Sequence, residues 1–129
     1  MIPIHNSTEL DVALSQPQAC LFLWVNWSVF ALQSQTVVAK VVSALQVTAS
    51  GNSVPCYIAD VSDQEGDLWD ALAAWLIKED RPTQMLMSGS GPVLCLQNGH
   101  VILHMLAPLQ YDATTITAAI RSALSLDPT

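Results

Sequence analysis

The sequence predicts an α/β protein built on a mixed sheet of four to five strands with helices on both faces. Three observations lead there. CLFLWV, Cys20 to Val25, is apolar at every position, the pattern of a strand buried on both faces. Two stretches with helical period follow, separated by a second apolar run, VPCYIADV. Finally, Val93 to Leu96 and Val101 to Leu106 flank Asn98–Gly99, a pair that accepts positive φ and so marks a β-hairpin. A parallel beginning and an antiparallel end make the sheet mixed.

The elements follow in order. Ile2 to Ile4 reads as a short edge strand that tolerates Pro3. Ser7 or Thr8 caps a short helix to about Leu14, with Glu9 and Asp11 in its first turn. After the Cys20–Val25 strand the period changes at Ser28. Phe30, Val37, Val38, Val41 and Leu45 fall on one side of a helix that ends near Gln46, before the turn residues ASGNS. Val54 to Val61 is the next strand, closed by the acidic loop SDQEGD. Leu68, Trp69, Leu72, Trp75 and Leu76 share a helical face to about Lys78, which makes both tryptophans core residues. Asp112 caps a last helix with Ile116, Ile120 and Leu124 inside. No linker or repeat interrupts the 129 residues, so one domain over 1–129 is expected.

Composition excludes several classes. Eleven acids against Lys40, Lys78, Arg81 and Arg121 give a net charge of −7, without the basic footprint that nucleic acid or anionic lipid requires. No apolar run approaches the roughly 20 residues that span a bilayer. MIPIHNSTEL lacks the charged and apolar regions of a signal peptide, so a cytoplasmic location is expected. Cys20, Cys56 and Cys95 are odd in number and widely spaced, which favours separate reduced thiols over a disulfide framework.

The order of elements and LFLWVNWSVFA together resemble the thioredoxin superfamily over nearly the whole chain. In that resemblance Trp24 and Trp27 fall on the two tryptophans of its Trp-x-x-Trp. Ser28 and Ala31 then stand where the two motif cysteines would be, with Val29 and Phe30 between them. SGPVLCLQNGHVI resembles the family's cis-proline strand, turn and edge strand, with Pro92 as the cis-proline. Phe22 takes the place of a buried Asp, and Thr36 that of a helix-kinking proline. The resemblance implies a groove lined by Trp27, Ser28, Val29, Phe30, Gly91 and Pro92 that takes an extended peptide.

Each candidate carries a functional and a structural reading. Disulfide exchange needs a thiolate and a second thiol, and Ser28 is neither. As a nucleophile it would need a neighbouring base, and His5, His100 and His104 are remote in sequence. Ser28 therefore reads as a helix N-cap. The rival, from the resemblance, is a hydroxyl that bonds the thiolate of a bound ligand, but no basic residue stands nearby to hold such a ligand's carboxylates. The three cysteines lie in apolar strands and read as core. His100 and His104 share a strand face about 13 Å apart, too far for one metal. Asp60, Asp63, Glu65, Asp67 and Asp70 do not have calcium-loop spacing and read as a solvated loop and helix start. Met85, Leu86 and Met87 are either a contact patch beside the groove or a loop folded over its own core.

The reading is a redox-inactive, thioredoxin-like binding or scaffolding module that uses the former active-site face, with Ser28, Val29, Phe30 and Ala31 as the degenerate motif. Trp27, Gly91, Pro92, Met85 and Met87 form the expected groove. A protein segment or a second copy is the expected partner, with no catalytic residue, metal or cofactor, no nucleic acid and no membrane. The alternative is a thioredoxin-family redox or thiol-transfer enzyme that uses a non-motif cysteine, or Ser28 with a bound thiol.

Overall fold

A computed structural model describes residues 1–46 and 54–124. The elements run β1 (Ile2–Ile4), α1 (Ser7–Leu14), β2 (Gln18–Trp24), α2 (Val29–Leu45), β3 (Cys56–Asp60), α3 (Asp67–Lys78), β4 (Val93–Gln97), β5 (His100–Met105) and α4 (Ala113–Ala123). Single 3-10 turns lie at Thr83–Leu86 and Pro108–Gln110. The turn residues ASGNS lie outside the described residues.

The five strands form one mixed sheet in the order β1-β3-β2-β4-β5. β1, β3 and β2 run parallel, and β4 and β5 are antiparallel additions. Helices α1 and α3 pack on one face and α2 and α4 on the other. β2 is central, and its run from Ala19 to Leu23 is buried throughout, as a strand covered on both faces should be. Leu21 and Leu23 join the α1/α3 side, while Cys20 and Phe22 join the α2/α4 side. The hairpin turns at Asn98 (φ 53°) and Gly99 (φ 80°), as the pair demands. One irregularity follows: the β4/β5 register shifts between Cys95 and Leu96, so that Ile102 on β5 is the extra residue of a bulge.

Three local expectations change. The cap of α1 is Asn6, whose side chain accepts from Glu9 N–H at 2.9 Å, one residue before the expected Ser7. The buried stripe of α2 is Ala31, Ser34, Val38, Val41 and Leu45, with Val37 only half-buried and Phe30 outside it. Each residue turns the helix by about 100°, so starting the stripe at Ala31 swings Phe30 into solvent. Trp75 is core as expected, and its indole N–H donates to the Gly99 carbonyl at 3.1 Å. Trp69 is only partly buried against the same cluster.

The two α1/α3 helix starts are tied by charge. Asp67 accepts the Ser7 backbone N–H at 2.6 Å, and this bond holds its carboxyl below the usual aspartate range. A folded-state pKa below the unfolded one adds stability that is complete above the unfolded value, about 3.9, and is lost as pH falls through the folded one. Asp67→Asn should therefore lower stability by a constant amount near neutral pH. In urea titrations the difference should shrink toward zero once the pH falls below the folded value.

Candidate functional site

The corner between β2 and α2 is built from the chain upward. β2 ends at Trp24 and Asn26 N–H donates to Ser62 Oγ at 2.8 Å, which holds the bend. Ser28 then starts α2 in extended conformation (φ −111°, ψ 124°), and its oxygen accepts the Ala31 N–H at 3.4 Å. This is the N-cap expected from the sequence.

The hydroxyl has a second engagement that the sequence did not signal. Ser28 Oγ–H donates to the Gly89 carbonyl, 61 positions later in the chain, at 2.5 Å. Two turns into α2, the fully buried Ser34 donates its hydroxyl to the Ser90 carbonyl at 3.2 Å. Two serines thus fasten the 88–91 loop to the first half of α2. Close approach is possible because the loop is SGSG. A Cβ on Gly89 would sit 2.9 Å from the Trp27 ring, and one on Gly91 would sit 3.1 Å from both Phe22 and Ser34. Both glycines also hold positive φ, 66° and 70°.

This arrangement corrects the expected cis-proline. All peptide bonds among the described residues are trans, Pro92 included. Left-handed Gly91 supplies the change of direction instead, and the Pro92 carbonyl accepts Leu23 N–H at 2.9 Å as an extension of the β2/β4 ladder. Gly91 and Pro92 are buried. Met85 and Leu86 are buried as well, at 2% and 1% exposure, because the Thr83–Leu86 turn rolls both into the α1/α3 core. The loop folds over its own core, and only Met87 of the triplet faces solvent.

What the corner does expose is apolar. Trp27, Val29 and Phe30 are 51%, 57% and 61% exposed, and Leu32 is 47% exposed. Ser28 between them is 8% exposed and Ala31 is fully buried. Chemically the corner is an apolar surface around an occupied hydroxyl. Ser28 is hydrogen-bonded on both sides, and the histidines are engaged elsewhere. Nδ1 of His5 meets Glu9 at 2.9 Å and Nδ1 of His100 meets Glu79 at 3.0 Å, while Arg81 Nη1 meets Nδ1 of His104 at 2.9 Å. Burial, with the Arg81 charge, holds His104 below the ordinary histidine range.

The three cysteines are all free and buried, and all lie in the sheet rather than at the corner. Hydrogen bonds to Cys56 and Cys95, with burial, push the Cys20 thiol well above its ordinary range. The bond from Cys20 lowers Cys56 against the effect of its own burial. Among the described residues no group of three His, Cys, Asp or Glu side chains is placed to hold a metal ion. In the acidic loop, Asp60 accepts from Ser62 N–H at 2.9 Å and Asp67 serves Ser7. No helix among the described residues is long and apolar enough to cross a membrane.

Ser28→Ala removes a cap and leaves the Gly89 carbonyl without its donor. These losses together should cost about 2 kcal/mol of stability in denaturant unfolding. Ser34→Ala loses one bond and should cost about 1 kcal/mol.

No family model matches the chain, and no curated protein matches its sequence. Solved structures do match. Trxlp from Edwardsiella tarda EIB202 superposes with a TM-score of 0.56 over 93% of this chain and 98% of its own, at 7% identity. Thioredoxin O2 from Arabidopsis thaliana, in its oxidised state, superposes with a TM-score of 0.56 over 94% of this chain and 91% of its own, at 12% identity. The sheet order, the helices on both faces and these likenesses agree: the chain has the thioredoxin-like fold.

Proposed function

We propose that this chain is a binding module, redox-inactive at its Ser28–Ala31 corner, that receives an apolar protein segment, or a second copy of itself, on the Trp27–Phe30 face. The observation that carries the reading is the contrast within four residues. Trp27, Val29 and Phe30 are each more than half exposed, while the Ser28 hydroxyl between them is buried and fully engaged. Large apolar side chains exposed side by side mark interaction surfaces, and Trp is prominent among interface anchors. The face carries no charge of its own: from Trp27 to Ala39 the chain has no acidic or basic residue. An apolar partner surface therefore meets no charge from this segment.

The rival reading is a thiol-transfer or redox enzyme. It would need a thiol at the surface or a free hydroxyl at the corner. The three thiols are buried in the sheet, and the corner hydroxyl is committed to Gly89 and Ala31. Free thiols also favour a reducing compartment, and the cytoplasm is the proposed location.

A photocrosslinking residue placed at Val29 should capture a defined protein, or this chain itself, in cell extract. The same residue at Ile77, an apolar position on α3 that is 68% exposed, should not. Phe30→Asp should abolish capture from position 29 while changing stability by no more than about 0.5 kcal/mol, as expected for an exposed site. Equal capture at both positions, or capture unaffected by Phe30→Asp, would overturn the reading.

A further inference from the structure

A row of three thiols crosses the middle of the sheet. Cys20 stands opposite Cys56 in the parallel β2/β3 ladder and opposite Cys95 in the antiparallel β2/β4 ladder. All three side chains enter the α2/α4 side of the core, beside Phe22, Val38 and Ile116. Sequence spacing gave no hint of this, because the three lie on separate strands and only the register brings them together.

The ladder geometry says which pairs can bond. Cys20 N–H donates to the Pro55 carbonyl at 3.0 Å, so the Cys20 backbone faces β3 and the Cys20/Cys95 pair is non-hydrogen-bonded. Such pairs are the closer kind, with Cα atoms about 4.5 Å apart. Neighbouring strands stand about 4.8 Å apart, which sets the Cys20/Cys56 spacing. Both spacings fall within the roughly 4.4–6.8 Å that a disulfide spans. Cys56 and Cys95 are two strands apart, roughly 9–10 Å, and cannot be bridged. Cys56 Sγ donates to the Val54 carbonyl at 3.3 Å. A void of about 10 Å³ is lined by Cys20 and Cys56 together with Phe22, Val38 and Ile116. That volume is about one water-sized sphere, so a reagent reaching these thiols must be small.

We propose that Cys56, Cys20 and Cys95 form an internal thiol relay, oxidised by hydrogen peroxide, in which Cys20 always holds one sulfur of the resulting disulfide. A thiolate of the row attacks peroxide: an S–O bond forms, the O–O bond breaks, and the departing oxygen takes a proton and leaves as water. The adjacent thiol then attacks that sulfur. An S–S bond forms, the S–O bond breaks, and a second water leaves with the attacking thiol's proton. Two thiols are oxidised to one disulfide and one peroxide is reduced to two waters. The third cysteine stands on the strand at the other side of Cys20. Displacement at sulfur proceeds in line, so this cysteine can attack Cys20, expel the first partner as a thiolate and pass it the proton. The disulfide thus moves between β2/β3 and β2/β4 without further oxidant. The relay is independent of the corner face and of any partner bound there.

The test treats the native full-length chain with hydrogen peroxide, quenches it by alkylation in denaturant and maps linkages by mass spectrometry. The expected result is a loss of two hydrogens within one chain, with Cys20 in every linked peptide. Cys95→Ser should give Cys20–Cys56, Cys56→Ser should give Cys20–Cys95, and Cys20→Ser or Cys20→Ala should give none. A Cys56–Cys95 linkage, linkages only between chains, or three thiols that all alkylate after peroxide treatment of the native wild type would overturn the proposal. The wild-type map alone decides, whether or not the variants fold.

Discussion

Ser28 joins two parts of the chain that lie 61 positions apart, and much of the corner's character follows from that one hydroxyl. As an acceptor it caps α2, and as a donor it holds the Gly89 carbonyl. With Ser34 it draws the 88–91 loop against the helix so closely that glycine is required where the loop meets Trp27, Phe22 and Ser34. The clamp also sets the phase of α2. Once Ser28 is the cap, Ala31 begins the buried stripe, and Val29 and Phe30 are left outside. Exposure of the apolar face and closure of the loop are therefore two results of one local geometry. A thiol in the same place would donate only weakly and would hold the carbonyl less well.

The surroundings suit that face to apolar recognition. α1 and α3 carry Glu9, Asp11, Asp67 and Asp70, and the acidic loop adds Asp63 and Glu65 on the way into α3. α2 and α4 contain no acidic residue, and their cations are Lys40 and Arg121. The helices on the α2/α4 face thus carry none of the acids behind the charge of −7, while the acidic loop meets the corner at Asn26 through Ser62. Acidic repulsion keeps other acidic molecules from the α1/α3 side, while the α2 start stays open to apolar contact.

Local chemistry was legible in the sequence, and long-range register was not. The fully apolar CLFLWV run, the Asn98–Gly99 turn, the Ser28 cap and the Asp112 cap depend on residues within a few positions, and each stands as read. Resemblance supplied the fold, but it carried over a cis-proline that this chain replaces. Gly91 turns the chain at positive φ, so Pro92 stays trans and is buried. Met85 was ambiguous because an apolar triplet in a loop has no period from which to tell its direction. The role of Ser34 depends on the 88–91 loop, which is distant in sequence and close in the fold. The thiol row needed the pairing of three strands before it had any meaning.

The claim that the corner serves contact and not disulfide exchange is tested most directly by reduction of a protein disulfide with dithiothreitol as electron source. The wild type would be run beside a variant with Cys20, Cys56 and Cys95 all changed to Ser. The account predicts a rate equal to the dithiothreitol background for both proteins, because every thiol of the chain lies buried in the sheet and away from any protein substrate. A wild-type rate above background that disappears in the variant would contradict it and would identify one of these thiols as catalytic.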